Sequence, residues 1–598
     1  MLAPLKRITV TAENTVAVAC LALVTLLPII EVALRRMSYG LTASTDYIYH
    51  LVLWITFTGG MITSREGRHL SLAAVSEFLS ERFRTHLQVF RSCVSVAVCS
   101  GLAWSALQFI RIGVDSARTI GLFPRQAVLM IMPIGFMVMT IRFITHAPTG
   151  IRSRTLAASG LCIGPLFGYA CASMPGFLWP AMLILAAAAV SGAPIFIILG
   201  GVASLLFLHT GGTTVVIPNE AYTMLTGPTI PAIPLFTLAG FILSESKSGE
   251  RLVRLFRALF GWLPGGLAIM TILICTFFTA LTGASSVTIL ALGGLLSYIL
   301  IQNGYSKRFS TGLLTVNGIG SLFPPSLPII MFGVVARTNI QHMFMAVLLP
   351  CGVMVLGLII LSVTTACRRR IPCIPFNGRE ALGALAESFW EICIPFIILI
   401  FYFGGITTLV ETGAITVVYV TIVEMLIKRD MNPQRLAAAA LKAIPLIGGV
   451  LVILAAAKGL SYFVVDAEVP MALMEWMRRY VTSKYVFLAL LNVSLLMVGC
   501  FMDIFSAIIV VVPLLMPLAD AYGVSPLHLG VIFLANMEIG LLTPPVGINL
   551  FLASYRFNTP IMRIFRDVFP FFLTMAATLI LITYVPAFST MLVDIFFK

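Results

Sequence analysis

Hydrophobic positions run in long blocks along this chain, and the polar residues between them come in short clusters rich in Arg, Lys, Gly and Pro. Apolar blocks lie near residues 14–34, 46–64, 89–110 and 126–145; a fifth, near 156–174, ends at Met174-Pro175-Gly176. Each has the length of a membrane-crossing helix, which needs about 20 apolar residues. Between the second and third blocks, Leu72, Val75, Leu79, Phe83, Leu87 and Phe90 recur every three or four positions, with Glu77, Glu81, Arg82 and Arg84 on the other face. That spacing predicts an amphipathic helix, either lying in the membrane interface or packed on another subunit or domain.

From about residue 177 the pattern predicts one large membrane unit in two similar halves, about 177–367 and 368–598. The first half opens with Pro180 to His209, interrupted at Gly192-Ala193-Pro194 and so read as two helices. A span beginning at Ile233-Pro234, a basic amphipathic stretch from Glu250 to Arg257, and a span from Pro264 to Leu281 follow. After a hairpin region from Gly283 to about Phe332 comes a span over 343–366, then the basic run Arg368-Arg369-Arg370. The second half repeats the plan: Ile394-Pro395-Phe396, spans to about 427, the charged turn Lys428 to Arg435, 443–465, a span near 484–500, a second hairpin system and a last span near 567–588.

Two stretches stand out in that plan: Gly320-Ser321-Leu322-Phe323-Pro324-Pro325-Ser326 and Gly540-Leu541-Leu542-Thr543-Pro544-Pro545-Val546-Gly547. Adjacent prolines cannot continue a helix, and lipid cannot satisfy the backbone groups they free. Each stretch therefore reads as a helical hairpin tip buried in protein at membrane depth. Each also follows another glycine-marked break, Gly283-Ala284-Ser285-Ser286 before the first and Gly499-Cys500-Phe501-Met502-Asp503 before the second. Paired broken helices at matching places in two halves point to the binding site of a secondary transporter.

Composition narrows the class. Charged residues make up 10% of the chain and hydrophobic ones 59%, with a mean hydropathy of +1.03; soluble domains carry about 25% charged residues. This is an all-α polytopic membrane protein with membrane lipid as its surroundings. The net charge of +14 marks loop orientation rather than nucleic-acid binding. Lys6, Arg7, Arg65, Arg68, Arg82, Arg84, Arg91, Arg142, Arg152 and Arg154 fall in one set of loops; the opposite set holds only Arg35, Arg36, Arg111, Arg118 and Arg125. The N-terminus and the Arg368–Arg370 loop are thus expected in the cytoplasm. A cytoplasmic midpoint after an outer start needs an odd number of crossings per half, as inverted repeats require. Residues 151–176 then connect a four-helix part, 1–150, to the large unit 177–598. Lys6 and Arg7 precede an apolar run without a small-residue cleavage site, so the first helix is read as retained. Cys20, Cys99, Cys275 and Cys500 lie singly in apolar runs and read as small hydrophobes. No phosphate loop, Gly-x-Ser-x-Gly elbow or His-Glu-x-x-His motif occurs, and with no such constellation the chain reads as a transporter and not an enzyme.

Candidate chemistry gathers at the breaks. Asp503 is an ionisable residue at membrane depth beside unwound backbone, which suits a small hard cation; the alternative is a residue at the water interface. Ser285, Ser286 and Thr288 lie beside Gly283, and their hydroxyls either satisfy freed backbone groups or bind ligand. Half-helix N-termini at the midplane favour an anion, and freed carbonyls favour sodium. Sodium ligation is therefore expected from Ser285, Gly320, Pro324, Asp503, Gly540, Thr543 and Pro545, and substrate contact from Ser285, Ser286, Ser326, Lys458 and Asp503. Lys458 has no acidic residue within a turn of it in sequence; it pairs with an anionic substrate or snorkels to the interface. Glu411, after Thr407-Thr408, reads as an interfacial helix cap.

At these positions the chain resembles the tripartite ATP-independent periplasmic (TRAP) transporters. The residues that carry the resemblance to the large membrane subunit are Ile233 to Gly240, Gly283 to Thr288 with Gly293, Gly304-Tyr305, Gly320 to Ser326, Gly405-Ile406 through Thr408 to Glu411 and Tyr419, Gly499 to Asp503, and Asn536 to Gly547. The first 150 residues look like the small membrane subunit, with Ser64 to His69 resembling its loop motif. Ala284 and Leu409 depart from the family pattern, standing where a second serine and a proline are common. The resemblance implies a fused small-plus-large permease of the bacterial inner membrane, with the small part enlarging a scaffold. It implies an elevator-type importer driven by a sodium gradient, with Na+ as coupling ion and two re-entrant hairpins on the moving part. A separate periplasmic binding protein would deliver a small organic anion, a carboxylate or sulfonate. The competing readings are an ion-coupled anion transporter without a binding protein, and a channel.

Overall fold

The computed structural model describes residues 2–40, 43–67, 69, 81–115, 117–148, 150–283, 285–544 and 547–597. The predicted amphipathic stretch from Leu72 to Leu79 lies outside them. Among the described residues the fold is all-helical apart from a two-residue antiparallel ribbon, Thr119–Ile120 with Phe123–Pro124. Among the described residues, 10 helices are long and apolar enough to cross a membrane, or up to 12 if each bent pair counts as one span. Backbone groups in lipid must be satisfied within the segment, which is why apolar blocks of this length become helices.

The chain packs as two compact units. The first comprises Met1–Leu235 and Ala440–Val469, and the second Phe236–Ala439 and Pro470–Lys598. The first unit thus takes in residues 1–150, the connector, the opening of the predicted large unit and one returning segment. Pro180 to His209 does form two helices, Leu178–Val190 and Ile195–His209. The connector is a pair, Ile151–Ala158 and Gly160–Ser173, that is apolar enough to span. Small residues let helices of this unit touch backbone to backbone, the packing mode available where lipid supplies no hydrophobic drive. A Cβ on Gly59 would sit 2.7 Å from Gly448 Cα, and a Cβ on Gly448 would collide with the Gly59 backbone. Thr63 Oγ1, one turn further, donates to Pro445 O at 3.0 Å. Near the same end of the helix Ser44–Glu66, Glu13 takes Arg65 at 3.1 Å and also Arg142.

The second unit carries the repeat. Its first half runs Gly266–Thr282, Ser285–Gln302, Lys307–Val316, a 3-10 turn Asn317–Leu322, Leu327–Val335 and Ile340–Arg369. The second half runs Lys484–Phe501, Ile504–Ala521, Pro526–Gly540, Ile548–Phe557 and Ile561–Tyr584. Helix follows break in the same order in both. Thr279 and Thr288 locate the first chain reversal. Their hydroxyls are 2.8 Å apart, whereas nine residues of continuous helix would separate them by about 13 Å. The turn therefore sits at Gly283, whose φ of 69° ends the first helix in the left-handed region that glycine enters without penalty. At the first Pro pair, read from sequence as a hairpin tip, the chain instead bends by 44°. The Pro pair interrupts a span, and the reversal lies two helices earlier, before Ser285–Gln302 and Lys307–Val316.

Arg251, on the amphipathic helix Ser248–Phe260, is 7% exposed and gathers three carboxylates from the same unit. It reaches Glu391, bonds Glu424 at 2.8 and 3.0 Å, and pairs with Asp430. Burial opposes its charge, yet Asp430, Glu424 and Glu391 hold the guanidinium above its ordinary pKa. Removing one partner of such a buried group costs roughly 3–5 kcal/mol, because uncompensated charge remains. Glu411 caps the helix Leu409–Ile422 reciprocally with Thr408, as the sequence suggests.

The Gly59–Gly448 contact makes a direct prediction. Gly448→Val forces a side chain into the Gly59 backbone and should lower stability by about 1–3 kcal/mol, the usual penalty for overpacking. Gly101→Ala, whose Cβ meets nothing within 4 Å, should leave stability unchanged. Thermal unfolding of the detergent-solubilised chain checks both.

Candidate functional site

The residues before the two Pro pairs meet inside the second unit. Gly318 and Glu538 occupy matching places, each two residues before the glycine that precedes its Pro pair by four. In the structure a Cβ on Gly318 would collide with Glu538 Oε2 and lie 3.0 Å from Ser285 Cβ. Equivalent positions of two halves can touch only near the pseudo-two-fold axis relating them. Glu538 therefore marks where the inverted copies cross.

Glu538 is 2% exposed, in the helix Pro526–Gly540. Ser321 Oγ, from the 3-10 turn, donates to Glu538 Oε1. Ser285 Oγ, at the start of its helix, donates to Asn549 Oδ1 at 3.0 Å. Thr279 Oγ1 lies 3.4 Å from the Asn317 carbonyl oxygen. Among the described residues, both side-chain polar atoms of Asn317 and Nδ2 of Asn549 are buried without a partner. Buried polar atoms are ordinarily paired, so orphans gathered at one break point to a guest or to water. The cluster is oxygen-rich, and none of the side chains named in it is basic. Oxygen-rich donor sets suit hard cations. No group of three or more His, Cys, Asp or Glu that could hold a metal comes together among the described residues.

A second cluster adjoins the first along the chain. A Cβ on Gly540 would be 2.6 Å from Gly499 Cα, so the two breaks of the second half pack backbone to backbone. Gly547 N donates to Cys500 O at 3.2 Å, and Cys500 Sγ contacts Pro544 O at 2.8 Å. Thr543 Oγ1 donates to Gly540 O at 2.6 Å. Asp503 is 8% exposed and caps Ile504–Ala521. It accepts Phe505 N at 3.0 Å, Ser506 N at 3.2 Å and the Ser506 hydroxyl.

The predicted site residues distribute unevenly over this geometry. Ser285 belongs to the cluster around Glu538. Gly320 packs on the Thr276 carbonyl and the Thr279 side chain, where any Cβ would clash. Ser326 Oγ donates to Ser321 O and so braces the first break. Pro324 lines an apolar cavity of about 240 Å³ with Pro325, Phe323 and Cys351. Asp503, Gly540 and Thr543 share the second cluster. The Ser286 side chain, Ala284 and Pro545 lie outside the described residues. Lys458 belongs to the first unit, where its Nζ lies 3.5 Å from Glu220 Oε2; its acidic neighbour comes from a distant part of the chain.

Glu538, Asn317 and Asn549 were not among the candidates. The signal for Glu538 was present: it lies in the apolar run from Leu527 to Ala553, and the default reading of an intramembrane carboxylate applies to it as to Asp503. Asn317 and Asn549 become visible only once the two breaks are brought together.

Comparison with known proteins accounts for nearly the whole chain. The pattern of the "Tripartite ATP-independent periplasmic transporter, DctM component" matches residues 182–588, and that of the DctQ component matches residues 24–152. The isethionate TRAP transporter permease protein DctMQ of Oleidesulfovibrio alaskensis is 28% identical over 553 residues, 90% of this chain and 86% of that protein. The C4-dicarboxylate TRAP transporter large permease protein DctM of Vibrio cholerae is 33% identical over 426 residues, covering 67% of this chain and 94% of that one. The ectoine TRAP transporter large permease protein TeaC of Halomonas elongata is 28% identical over 433 residues, 71% of this chain and 99% of its own.

The Gly318–Glu538 contact gives the site a steric test. Gly318→Ala places a methyl against the carboxylate and should cut transport at least about tenfold with insertion preserved; tenfold corresponds to about 1.4 kcal/mol. Glu538→Gln keeps the size and the hydrogen bond to Ser321 while removing charge, and should also impair transport. Uptake rates set beside expression and monodispersity check both, and wild-type uptake by Gly318→Ala would exclude the crossing point from the site.

Proposed function

Because this chain belongs to the tripartite ATP-independent periplasmic transporter family, with its DctQ and DctM components in one multi-pass inner-membrane polypeptide, we propose that it imports a small organic anion, a carboxylate or sulfonate, in symport with sodium. A separate periplasmic binding protein delivers the anion. The relatives named for isethionate and C4-dicarboxylates support an organic acid, and the family's tripartite name supports the third component.

The observation that carries sodium coupling is the cluster around Glu538. It offers a carboxylate, hydroxyls and unpartnered amides where the two halves cross, without a basic side chain of its own. An anion entering beside that carboxylate is repelled unless cations arrive with it. Sodium bound by Ser285, Asn317, Glu538 and freed carbonyls, and by Gly540, Thr543 and Asp503 in the second break, supplies that charge. Coupling then follows, because each ligand raises the other's affinity by the same factor. The hairpin turning at Gly283 and its counterpart at Asp503 ride on the moving part of an elevator.

Uptake into proteoliposomes tests this reading. With an inward sodium gradient and a loaded binding protein, isethionate or a C4-dicarboxylate should accumulate, and removing either sodium or the binding protein should abolish accumulation. Undiminished uptake by the chain alone would favour an independent ion-coupled transporter; non-saturable flux would favour a channel.

Asp503→Asn separates the carboxylate's two roles. Asparagine caps helices about as well as aspartate, so Ile504–Ala521 should keep its N-terminus and the variant should be inserted and monodisperse. Its uptake should require at least about tenfold more sodium. Wild-type sodium dependence would leave Asp503 as a helix cap only.

A further inference from the structure

Away from the crossing of the breaks, the second unit holds a cavity of about 340 Å³ lined by Lys307, Arg308, Arg563, Arg566 and Asp567, with Thr311 and Thr559. Asp567 is buried and pairs with Arg308 at 3.2 Å. Among the described residues no carboxylate lies within ion-pair distance of Lys307, Arg563 or Arg566; Asp567 also attracts Arg563 and Arg566 at longer range, so four cations face one carboxylate and the cavity keeps an excess of positive charge. Arg563 and Arg566 are three apart on one helix, where like charges repel. Lys307 opens the helix Lys307–Val316, and the arginines occupy the first turns of the span Ile561–Tyr584. Such span ends lie at headgroup height. Met562, Phe569 and Leu573 are exposed at spacings that share a helix face with Arg566. Apolar surface for acyl chains thus continues directly from the basic cavity.

We infer that this cavity binds a phosphate group carried by an anionic lipid, gripped between the guanidinium groups of Arg563 and Arg566 and the Lys307 ammonium. Guanidinium forks match phosphate oxygens bidentately, and basic pockets between membrane helices are where anionic headgroups bind. The site has leverage on transport. Gly312, five residues beyond Lys307, packs against the Asp567 carbonyl so closely that a Cβ would collide with it. The same helix runs directly into the 3-10 turn that holds Gly318 and Ser321. A headgroup bridging the two helix ends therefore clamps the base of the element that forms the first break.

Native mass spectrometry of the purified full chain tests this, with phosphatidylglycerol or cardiolipin set against phosphatidylcholine. The wild-type chain should retain the anionic lipids preferentially. Arg563→Gln with Arg566→Gln should weaken retention at least about tenfold, at roughly fivefold per charge. Arg563→Lys with Arg566→Lys should restore part of it, since the charge returns without the guanidinium fork, and an unchanged melting temperature in zwitterionic detergent should show that the glutamine pair folds. Lys307→Gln, on the other helix, should weaken retention independently. Inorganic phosphate at millimolar concentration distinguishes the sources: displacement of the lipid supports a phosphate site open to a soluble anion, and lack of displacement supports the lipid alone. Equal retention of anionic and zwitterionic lipids, or retention by the glutamine pair within twofold of wild type, overturns the proposal.

Discussion

A helix broken inside a bilayer leaves amide and carbonyl groups that lipid cannot satisfy. The second unit is organised around that debt. At the first break Ser326 closes onto the Ser321 carbonyl, and Thr279 lies within reach of the Asn317 carbonyl. At the second, Thr543 closes onto Gly540 O, and Gly547 N reaches Cys500 O. These closures need backbones to approach within van der Waals contact, which is why glycines stand where they do. Gly320 lies on Thr276 and Thr279, and Gly540 lies on Gly499. Side chains there would hold the segments apart and reopen the unpaired groups.

Satisfaction is incomplete, and the remainder is informative. Among the described residues, Asn317 and Asn549 keep buried polar atoms without partners near the Glu538 carboxylate at the crossing point. A fully paired network would be rigid and inert; one short of partners is poised to accept them. The inverted repeat sharpens this. Near a two-fold axis each half would present the same group to itself, and two carboxylates there would repel. The chain instead places Glu538 in one half and Gly318 in the other, so one half supplies the charge and the other the space.

The surrounding packing solves a different problem. Arg251 ties the amphipathic helix Ser248–Phe260 to Glu391, Glu424 and Asp430, an arrangement expensive to break once its charges are buried. In the first unit the close contact of Gly59 with Gly448 joins an early helix to a late one. Neither contact touches the breaks; both hold helices in place without hydrophobic drive.

Much of this was legible in residue order alone. Block length and low charge dictated spanning helices, because a bilayer admits little else. The Gly and Pro positions marked four breaks, because those residues lack a side chain or an N–H wherever they occur. The matched spacing of Gly320–Pro324 and Gly540–Pro544 exposed the repeat, and Asp503 was visible as a carboxylate in apolar surroundings. Tertiary structure decided which break reverses the chain. A proline pair forbids a straight helix without specifying the angle of its bend, so the 44° bend and the reversal at Gly283 depend on what packs around them. Folding alone brought Ser321 to Glu538, 217 positions away, and Ser285 to Asn549, 264 away. It also gave Lys458 the neighbour Glu220. Local sequence sets what each segment can do by itself; contacts between segments hundreds of residues apart are chosen by packing, and the candidate site is made of those contacts.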